Sequence, residues 1–222
     1  FSYLCVSIQA DMKKESQVIF DKNVIEFVTV AAEFCAFLER AESMKRSTFV
    51  DTTLKILPLL YLKASMLPKC EMIGDESPET YVTEEIYEVL RINLASILVE
   101  KDDYLEVFLP DMAYSDEPIK KNISEDLADI YQDIKDFIFV FQLGLNETMN
   151  DSLAICQENF GLLWGQKLVN TMRALHDVKY SPKARGEDEE EEEYEPENNE
   201  DCHCEDDDCH CHDHGCHCHD DE

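Results

Sequence analysis

The chain has 222 residues and a formal net charge of −31 at pH 7, and this acidity excludes several classes of partner. Nineteen Asp or Glu and no Lys or Arg follow Gly186, which leaves 31 acids against 19 bases, a net charge of −12, in residues 1–185. Because nucleic acids and anionic membranes are bound through clustered Lys and Arg, we expect neither as a partner. No stretch reaches the roughly 18 continuous apolar residues of a membrane span.

The N-terminal segment opens with the short apolar stretch Phe1–Ala10, ahead of Met12. We interpret residues 1–15 as a disordered N-terminal extension whose apolar stretch lies upstream of a natural start at Met12; the alternative is that the apolar stretch is the end of a clipped signal peptide. No basic segment precedes the apolar stretch, and Ile8 and Ala10 make a poor cleavage signal. We therefore expect a cytoplasmic protein, in which cysteines can remain thiols.

Residues 16–182 have the apolar periodicity of helices, and we expect them to form one domain. The first predicted helix begins at Phe20 and a second runs from about Ser47 to Leu67, with a bend caused by Pro58. The predicted buried stripe of the first helix is Phe20, Val24, Phe27, Ala31, Phe34 and Leu38.

Two further helices are predicted in the middle of the body. Thr83 is the expected N-cap of the third, and Ser124 is the expected N-cap of the fourth, which ends at Gly144. Between them, Asp102–Ser115 looks irregular, with a short turn of helix around Tyr104–Leu109. The predicted buried residues are Ile86, Leu90, Leu94 and Ile97 in the third helix and Leu127, Ile130, Ile134, Phe137 and Phe141 in the fourth.

The fifth predicted helix runs from Asn146 to about Val178, and Gly161 and Gly165 in it would let another helix approach closely. No run of alternating apolar and polar residues indicates a strand. The expected fold is all-α, a bundle of about five helices followed by a disordered acidic tail. The predicted inward-facing residues of the fifth helix are Met149, Leu153, Cys156, Phe160, Leu163, Leu168, Met172 and Leu175.

Four segments of this body resemble an all-helical family of anaerobic gut bacteria that is classed only as a domain of unknown function, DUF5063. They are Asn23–Glu33, Leu54–Ala64, Leu127–Asp133 and Trp164–Asn170. The resemblance covers about residues 16–180 and implies a helical cytoplasmic bacterial domain. It implies no activity and no catalytic residue, and it does not include the C-terminal tail.

Carboxylates form the best candidate for a catalytic cluster. Glu84, Glu85 and Glu88 lie on the third predicted helix, and Asp126, Asp129, Asp133 and Asp136 form one stripe of the fourth. If the two sets faced each other they could hold Mg²⁺ for work on a nucleotide phosphate. They resemble the Glu-rich helices of all-α nucleotide pyrophosphohydrolases only in outline. The alternative, which we favour, is that both sets are solvated helix faces and that the domain is not catalytic.

The body lacks the residue pairs that a cysteine or histidine active site would need. Cys35 and Cys156 are at core spacing, Cys70 has no neighbouring histidine, and His176 is the body's only histidine. A thiol nucleophile needs an adjacent base, so we interpret Cys35 and Cys156 as small core residues and His176 as an ordinary group near a helix end.

The last 22 residues repeat one heptad three times, starting at Asp201, Asp208 and Gly215. An acidic linker, residues 183–200, leads into this tail, residues 201–222. The tail holds six of the ten cysteines and six of the seven histidines of the chain and almost nothing apolar. We predict that it binds metal. The candidate ligands are Cys202, His203, Cys204, Cys209, His210, Cys211, His212, His214, Cys216, His217, Cys218 and His219.

Thiolate and imidazole donors select soft metals, so we expect zinc or nickel first, with cobalt and copper(I) as alternatives. At four donors per tetrahedral ion, the twelve ligands would saturate at about three metals. The composition resembles the His- and Cys-rich tails that some bacterial nickel chaperones append to folded domains. The competing interpretation is an acidic solubilising extension that binds metal only incidentally.

Two functional hypotheses follow from these features. The first is a metal-storage or delivery protein, in which the helical domain recognises a protein partner and the tail carries transition metal ions. The second is a Mg²⁺-dependent enzyme that acts on nucleotide phosphates through the carboxylate stripes.

Overall fold

The computed structural model describes residues 18–106 and 119–181, which form six α-helices and two short strands. The helices are α1 (Lys22–Glu39), α2 (Arg46–Ser65), α3 (Glu84–Leu98), α4 (Ile123–Gln142), α5 (Asn146–Asn159) and α6 (Gly165–Tyr180). The strands are β1 (Asp103–Glu106) and β2 (Ile119–Asn122). The predicted N-terminal extension, acidic linker and Cys/His tail lie outside the described residues.

Helix α4 is the centre of the bundle, in contact with α1, α3, α5 and α6, while α2 lies against α1 and α6. Its predicted apolar face is buried throughout, and the Phe27 and Phe137 rings meet with centroids 5.5 Å apart. Trp164, Phe34 and Phe49 are fully buried in the same core. The predicted all-α bundle is confirmed for the described residues.

Local side-chain chemistry sets several helix ends. The Asp21 carboxylate caps α1 by accepting from the Asn23 backbone N–H at 2.8 Å. The helix therefore begins at Lys22 rather than at the predicted Phe20, and the Phe20 side chain is 63% exposed. The prediction that Phe20 is buried is therefore wrong; Ile19 occupies the core instead. Thr83 caps α3 as predicted. Gly144, with φ +75°, follows the last turn of α4, where a left-handed residue ends a helix.

The start of α4 differs from the predicted Ser124 cap. Ser124 lies inside the first turn, and the buried Asp102 accepts from its backbone N–H and its hydroxyl, both at 2.7 Å. The capping carboxylate thus comes from a residue 22 positions earlier in the chain. Sequence spacing alone does not indicate a cap delivered from outside the helix.

The strands replace part of the helical turn predicted around Tyr104–Leu109. Asp103–Glu106 pairs antiparallel with Ile119–Asn122, in register Asp103 with Asn122 and Glu106 with Ile119. With four residues each, these strands are too short for alternation to distinguish them from a loop. The predictions of helix at 104–106 and of no strand are therefore wrong.

The last predicted helix is continuous but contains a five-residue π-helical turn, Phe160–Trp164, between α5 and α6. The wider turn rotates the chain, so Trp164 is fully buried while Leu163, predicted to be buried, is 53% exposed. A Cβ on Gly165 would come within 2.3 Å of the Phe160 carbonyl oxygen, whereas a Cβ on Gly161 would meet nothing within 4 Å. The glycines therefore do not admit a neighbouring helix; Gly165 accommodates the π turn itself.

Within the described residues, no helix combines the length and the apolar character needed to cross a bilayer.

Candidate functional site

The carboxylate stripe of α4 is neither a solvated face nor one half of a facing pair of stripes. Each of its four aspartates binds a different part of the fold, and the stripe borders a cleft in the bundle. The prediction of a solvated face is wrong for these residues, because the bundle uses them as acceptors for groups on other elements.

Asp126, at the first turns of α4, is buried beneath the small sheet. The Tyr104 hydroxyl on β1 donates to its Oδ2 at 2.5 Å. Burial raises the pKa of the Asp126 carboxyl to about 6, although the tyrosine hydrogen bond and Lys167 act in the opposite direction. The carboxyl therefore links β1 to α4 from a poorly solvated position.

Asp129, one turn later, connects three helices. The Tyr87 hydroxyl on α3 donates to its Oδ1 at 2.7 Å, and the Lys167 ammonium on α6 donates to its Oδ2. Both carboxylate oxygens are therefore in use. Lys167 was not singled out from the sequence, because nothing near it in the chain indicates that it faces α4.

Asp133 and Asp136 hold the end of α5 and the segment that enters α3. The Asn159 amide donates to Asp133 Oδ1 at 2.6 Å, and the backbone N–H groups of Tyr81 and Val82 both donate to Asp136 Oδ1 at 2.7 Å. Burial raises the pKa of both carboxyls. The pair fixes two boundaries of the cleft.

The glutamates of α3 do not join this stripe. Glu84 and Glu85 are exposed at the helix N-terminus, and Glu88 forms a two-pronged ion pair with Arg91 at 2.8–3.2 Å. Among residues 18–106 and 119–181, no group of three or more His, Cys, Asp or Glu side chains is arranged to hold a metal ion. Within the described residues, the glutamates of α3 and the aspartates of α4 therefore do not form the facing pair that the Mg²⁺ hypothesis requires.

The cleft beside the stripe has a volume of about 420 Å³ and lies between α4, α5, the π-helical turn and the segment at residues 78–80. Volumes of about 300–1,000 Å³ are typical of small-molecule sites. Its walls combine apolar side chains with the carboxylates of α4. The apolar part is formed by Phe137, Val140, Ile155, Cys156 and Leu163.

The cysteines and the histidine of the described residues lie where structural rather than catalytic side chains are usually found. Cys35 and Cys156 are buried as predicted, and burial raises the pKa of the Cys35 thiol to about 12 and that of Cys156 well above its usual range. Cys70 is half-buried, with its Sγ 3.1 Å from Asn150 Oδ1. The His176 ring lies against the Tyr180 ring near the end of α6. A thiolate nucleophile is thus strongly disfavoured at Cys35 and Cys156.

Buried polar residues that the sequence did not reveal organise the long connection between α2 and α3. The Asp151 carboxylate accepts from the backbone N–H groups of Ile73 and Gly74 at 2.7 and 2.9 Å. The side-chain oxygen Oε1 of Gln157 accepts from the backbone N–H of Cys70 at 3.0 Å. Both residues lie on α5, about 80 positions away from their partners. Their pattern in the sequence is that of ordinary polar helix residues.

The twelve predicted metal ligands of the tail lie outside the described residues, so their arrangement stays a prediction.

Comparisons with known proteins identify the body. The protein BF1032 from Bacteroides fragilis, known from a crystal structure, is 92% identical over 76% of this chain and 99% of its own, with a TM-score of 0.69. The comparison with curated proteins found no match. The family model described as Domain of unknown function (DUF5063) matches residues 18–181, the helical body from α1 to α6. The chain therefore belongs to the DUF5063 family.

Proposed function

We propose that this protein is a non-catalytic, cytoplasmic metal-handling accessory protein, whose C-terminal tail binds soft transition metals for storage or for delivery to a protein partner. The observation that carries the proposal is the threefold heptad repeat with a Cys-His-Cys unit in each copy, at residues 202–204, 209–211 and 216–218. Metal binding is the simplest explanation for a repeated set of metal-ligand side chains with almost nothing apolar around it.

The spacing within each Cys-His-Cys unit suits shared coordination. In an extended chain, residues i and i+2 emerge on the same side about 6–7 Å apart, so a modest bend brings both sulfurs onto one ion. The twelve donors then correspond to about three tetrahedral sites. Zinc and nickel are the first candidates for the bound metal, and cobalt or copper(I) satisfies the same donors.

The helical body is consistent with metal binding by the tail alone, because the buried thiols of the body compete poorly for metal. A metal-bound cysteine is a thiolate, and burial raises the thiol pKa values of Cys35 and Cys156. The described residues contain a continuous apolar core, and the tail has almost nothing apolar to add to it, so we expect the body to fold without the tail. Metal should therefore partition to the tail while the body stays folded.

The tail's acidity adds a pH dependence to the proposal. Its negative potential attracts divalent cations, but it also favours protonated thiols and imidazolium over the ligating forms. Metal affinity should therefore fall steeply on acidification.

Elemental analysis of reduced protein, purified from cells without an affinity tag, tests the proposal. We expect about two to three equivalents of zinc, nickel or copper in the full chain, and less than half an equivalent when the six tail cysteines are replaced by serine. Cys70→Ser, which alters a half-buried thiol of the body, is the matched control and should retain the metal. Equal metal content in the wild type and the tail variant would refute the proposal.

A further inference from the structure

The outer face of helix α2 presents one base and three apolar residues as a single stripe. Lys55, Leu59, Leu62 and Met66 follow one another at intervals of four, three and four residues, which places them on one side of the helix. We call these four residues the α2 stripe. The Lys55 side chain is largely exposed, and the three apolar side chains are 44–51% exposed. The described part of the chain thus leaves the α2 stripe open to solvent.

The charge of this region differs from that of the rest of the body. Among the six described helices, α2 and α6 carry a net positive charge, each with three Lys or Arg and one Asp. The other four have net charges of −2 to −4. Helix α6 packs against α2, and Asp51 accepts from both Lys55 of α2 and Lys179 of α6. Because two ammonium groups share one carboxylate, this end of the stripe favours an acidic segment.

The chain leaves the described body at this same end and continues into its most acidic segment. Lys179 is two residues before Ser181, the last described residue of α6 and its C-cap. Residues 187–193 are seven consecutive Asp or Glu, and they are followed by Tyr194, the only aromatic residue after Gly186. The six residues from Ser181 to the acidic run span up to about 20 Å when extended, which is enough for the chain to turn back to Lys179.

The order of side chains in this segment matches the order along α2. Leu62 lies seven residues beyond Lys55, a distance of about 10 Å along the helix axis. Three residues of extended chain cover about the same distance, so a Glu191 carboxylate at Lys55 would bring Tyr194 to Leu62. Acidic residues would therefore meet the base, and the aromatic ring would meet the apolar part of the stripe.

We propose that residues 187–194 dock on the α2 stripe of their own chain. The acidic run lies against Lys55 and Lys179, and Tyr194 packs against Leu62. A short tether holds the local concentration of the run at roughly millimolar, so a weak contact forms within one chain before a second copy competes. The α2 helix of a second copy would instead bring the same positive charge to the contact. The proposal goes beyond metal handling and needs no bound metal, so each can fail without the other.

Carbodiimide cross-linking, which joins carboxylates to lysines in direct contact, tests the proposal on the full chain, reduced and metal-free. Unlabelled and ¹⁵N-labelled protein are mixed in equal amounts, so mass spectrometry distinguishes cross-links within a chain from those between chains. Lys120 is the control lysine, because like Lys55 it is exposed and paired with an aspartate. It also lies on β2, next to the strand that borders the end of α6, so the same tether can reach it.

We expect residues 187–193 to cross-link to Lys55 at least fivefold more than to Lys120, and within single chains. Similar yields at the two lysines would overturn the proposal. Cross-links mainly between chains would also overturn it and would assign the α2 stripe to a second copy. Raising NaCl from 50 to 500 mM should lower the Lys55 yield at least threefold, because salt screens exposed charges. A yield that does not depend on salt would contradict the proposal.

Two variants test the apolar half of the contact. Leu62→Ser alters an exposed residue, so the protein should fold, and the Lys55 yield should fall about threefold because Tyr194 loses its apolar partner. The control Val89→Ser, at an exposed position of α3, should leave the yield within 1.5-fold. Tyr194→Ser changes no charge and no residue of the described core, and it should reproduce the Leu62→Ser loss. An unchanged yield in Tyr194→Ser, or equal losses from Leu62→Ser and Val89→Ser, would refute the placement of the segment.

Discussion

Gly165 lies directly against the carbonyl oxygen of Phe160, five residues earlier in the same helix. A Cβ at Gly165 would come within 2.3 Å of that oxygen and 2.9 Å of the Phe160 ring. This contact belongs to the π-helical turn that buries Trp164 and turns Leu163 toward the cleft. Such turns are rare, and this one shapes the wall of the cleft between α4 and α5, so the glycine affects the cleft as well as the packing of the core.

Alanine substitution at the two glycines should therefore have opposite effects. We expect Gly165→Ala to lower the free energy of unfolding by about 2–3 kcal/mol, because the π turn must shift or distort. Gly161→Ala has space for its methyl group and should raise it by about 0.5–1 kcal/mol through higher helix propensity. Urea unfolding measures both. Similar effects at the two positions would contradict the assigned role of Gly165.

Of the acidic residues near the start of α4, Asp102 should be the one whose substitution lowers the free energy of unfolding most. Asp102→Ala leaves the buried N–H and hydroxyl of Ser124 without their acceptor, so we expect a loss of about 2–3 kcal/mol in unfolding free energy. The matched control is Asp103→Ala, since Asp103 is exposed and its ion pair with Lys120 is worth about 0.5 kcal/mol. An equal loss from both variants, measured by urea unfolding, would rule out a specific cap by Asp102.

Asp126 should make the bundle less stable as the pH rises. Its pKa is about 6 in the folded protein, above the roughly 3.9 of an unfolded aspartate, so the folded state binds more protons between these values. The wild type should therefore lose about 1–2 kcal/mol relative to Asp126→Asn between pH 4 and pH 7. Asn keeps an acceptor for the Tyr104 hydroxyl.

Urea unfolding at both pH values measures this effect. Subtracting the change seen in Asp126→Asn from the change seen in the wild type removes the contribution of the other titrating groups, among them Asp133 and Asp136. A wild type that gains stability over Asp126→Asn as the pH rises would show that folding lowers the pKa of Asp126, so that burial of the carboxyl would not be the dominant influence on it.

Local signals predicted most of the fold and little of the cleft. The apolar stripe of α4 and the Thr83 cap depend on residues within one or two turns, so periodicity and capping preference were sufficient. The Ser124 cap was predicted wrongly because its acceptor, Asp102, comes from outside the helix. Leu163 was predicted on the wrong face because a π turn adds one residue to the helical period.

The same limit applies to the candidate site. Spacing placed Asp126, Asp129, Asp133 and Asp136 on one stripe, and the structure has them there. Their partners lie on five other parts of the chain, namely β1, the segment that enters α3, α3 itself, α5 and α6. No spacing rule connects an aspartate to a lysine 38 residues away. The distinction between a solvated face and a set of structural acceptors thus depends on tertiary packing alone.

Val99 provides a last test, of backbone strain. It has φ +51°, which a β-branched residue rarely adopts, and its side chain is 62% exposed and gains little from burial. Val99→Gly should therefore raise the unfolding free energy by about 1 kcal/mol, since relief of strain exceeds the added entropy of the unfolded chain. Val89→Gly is the matched control: Val89 is 56% exposed inside α3, and glycine there should lower the unfolding free energy by about 0.5–1 kcal/mol. If Val99→Gly destabilised the protein as much as Val89→Gly, the backbone of Val99 would not be strained in the folded protein.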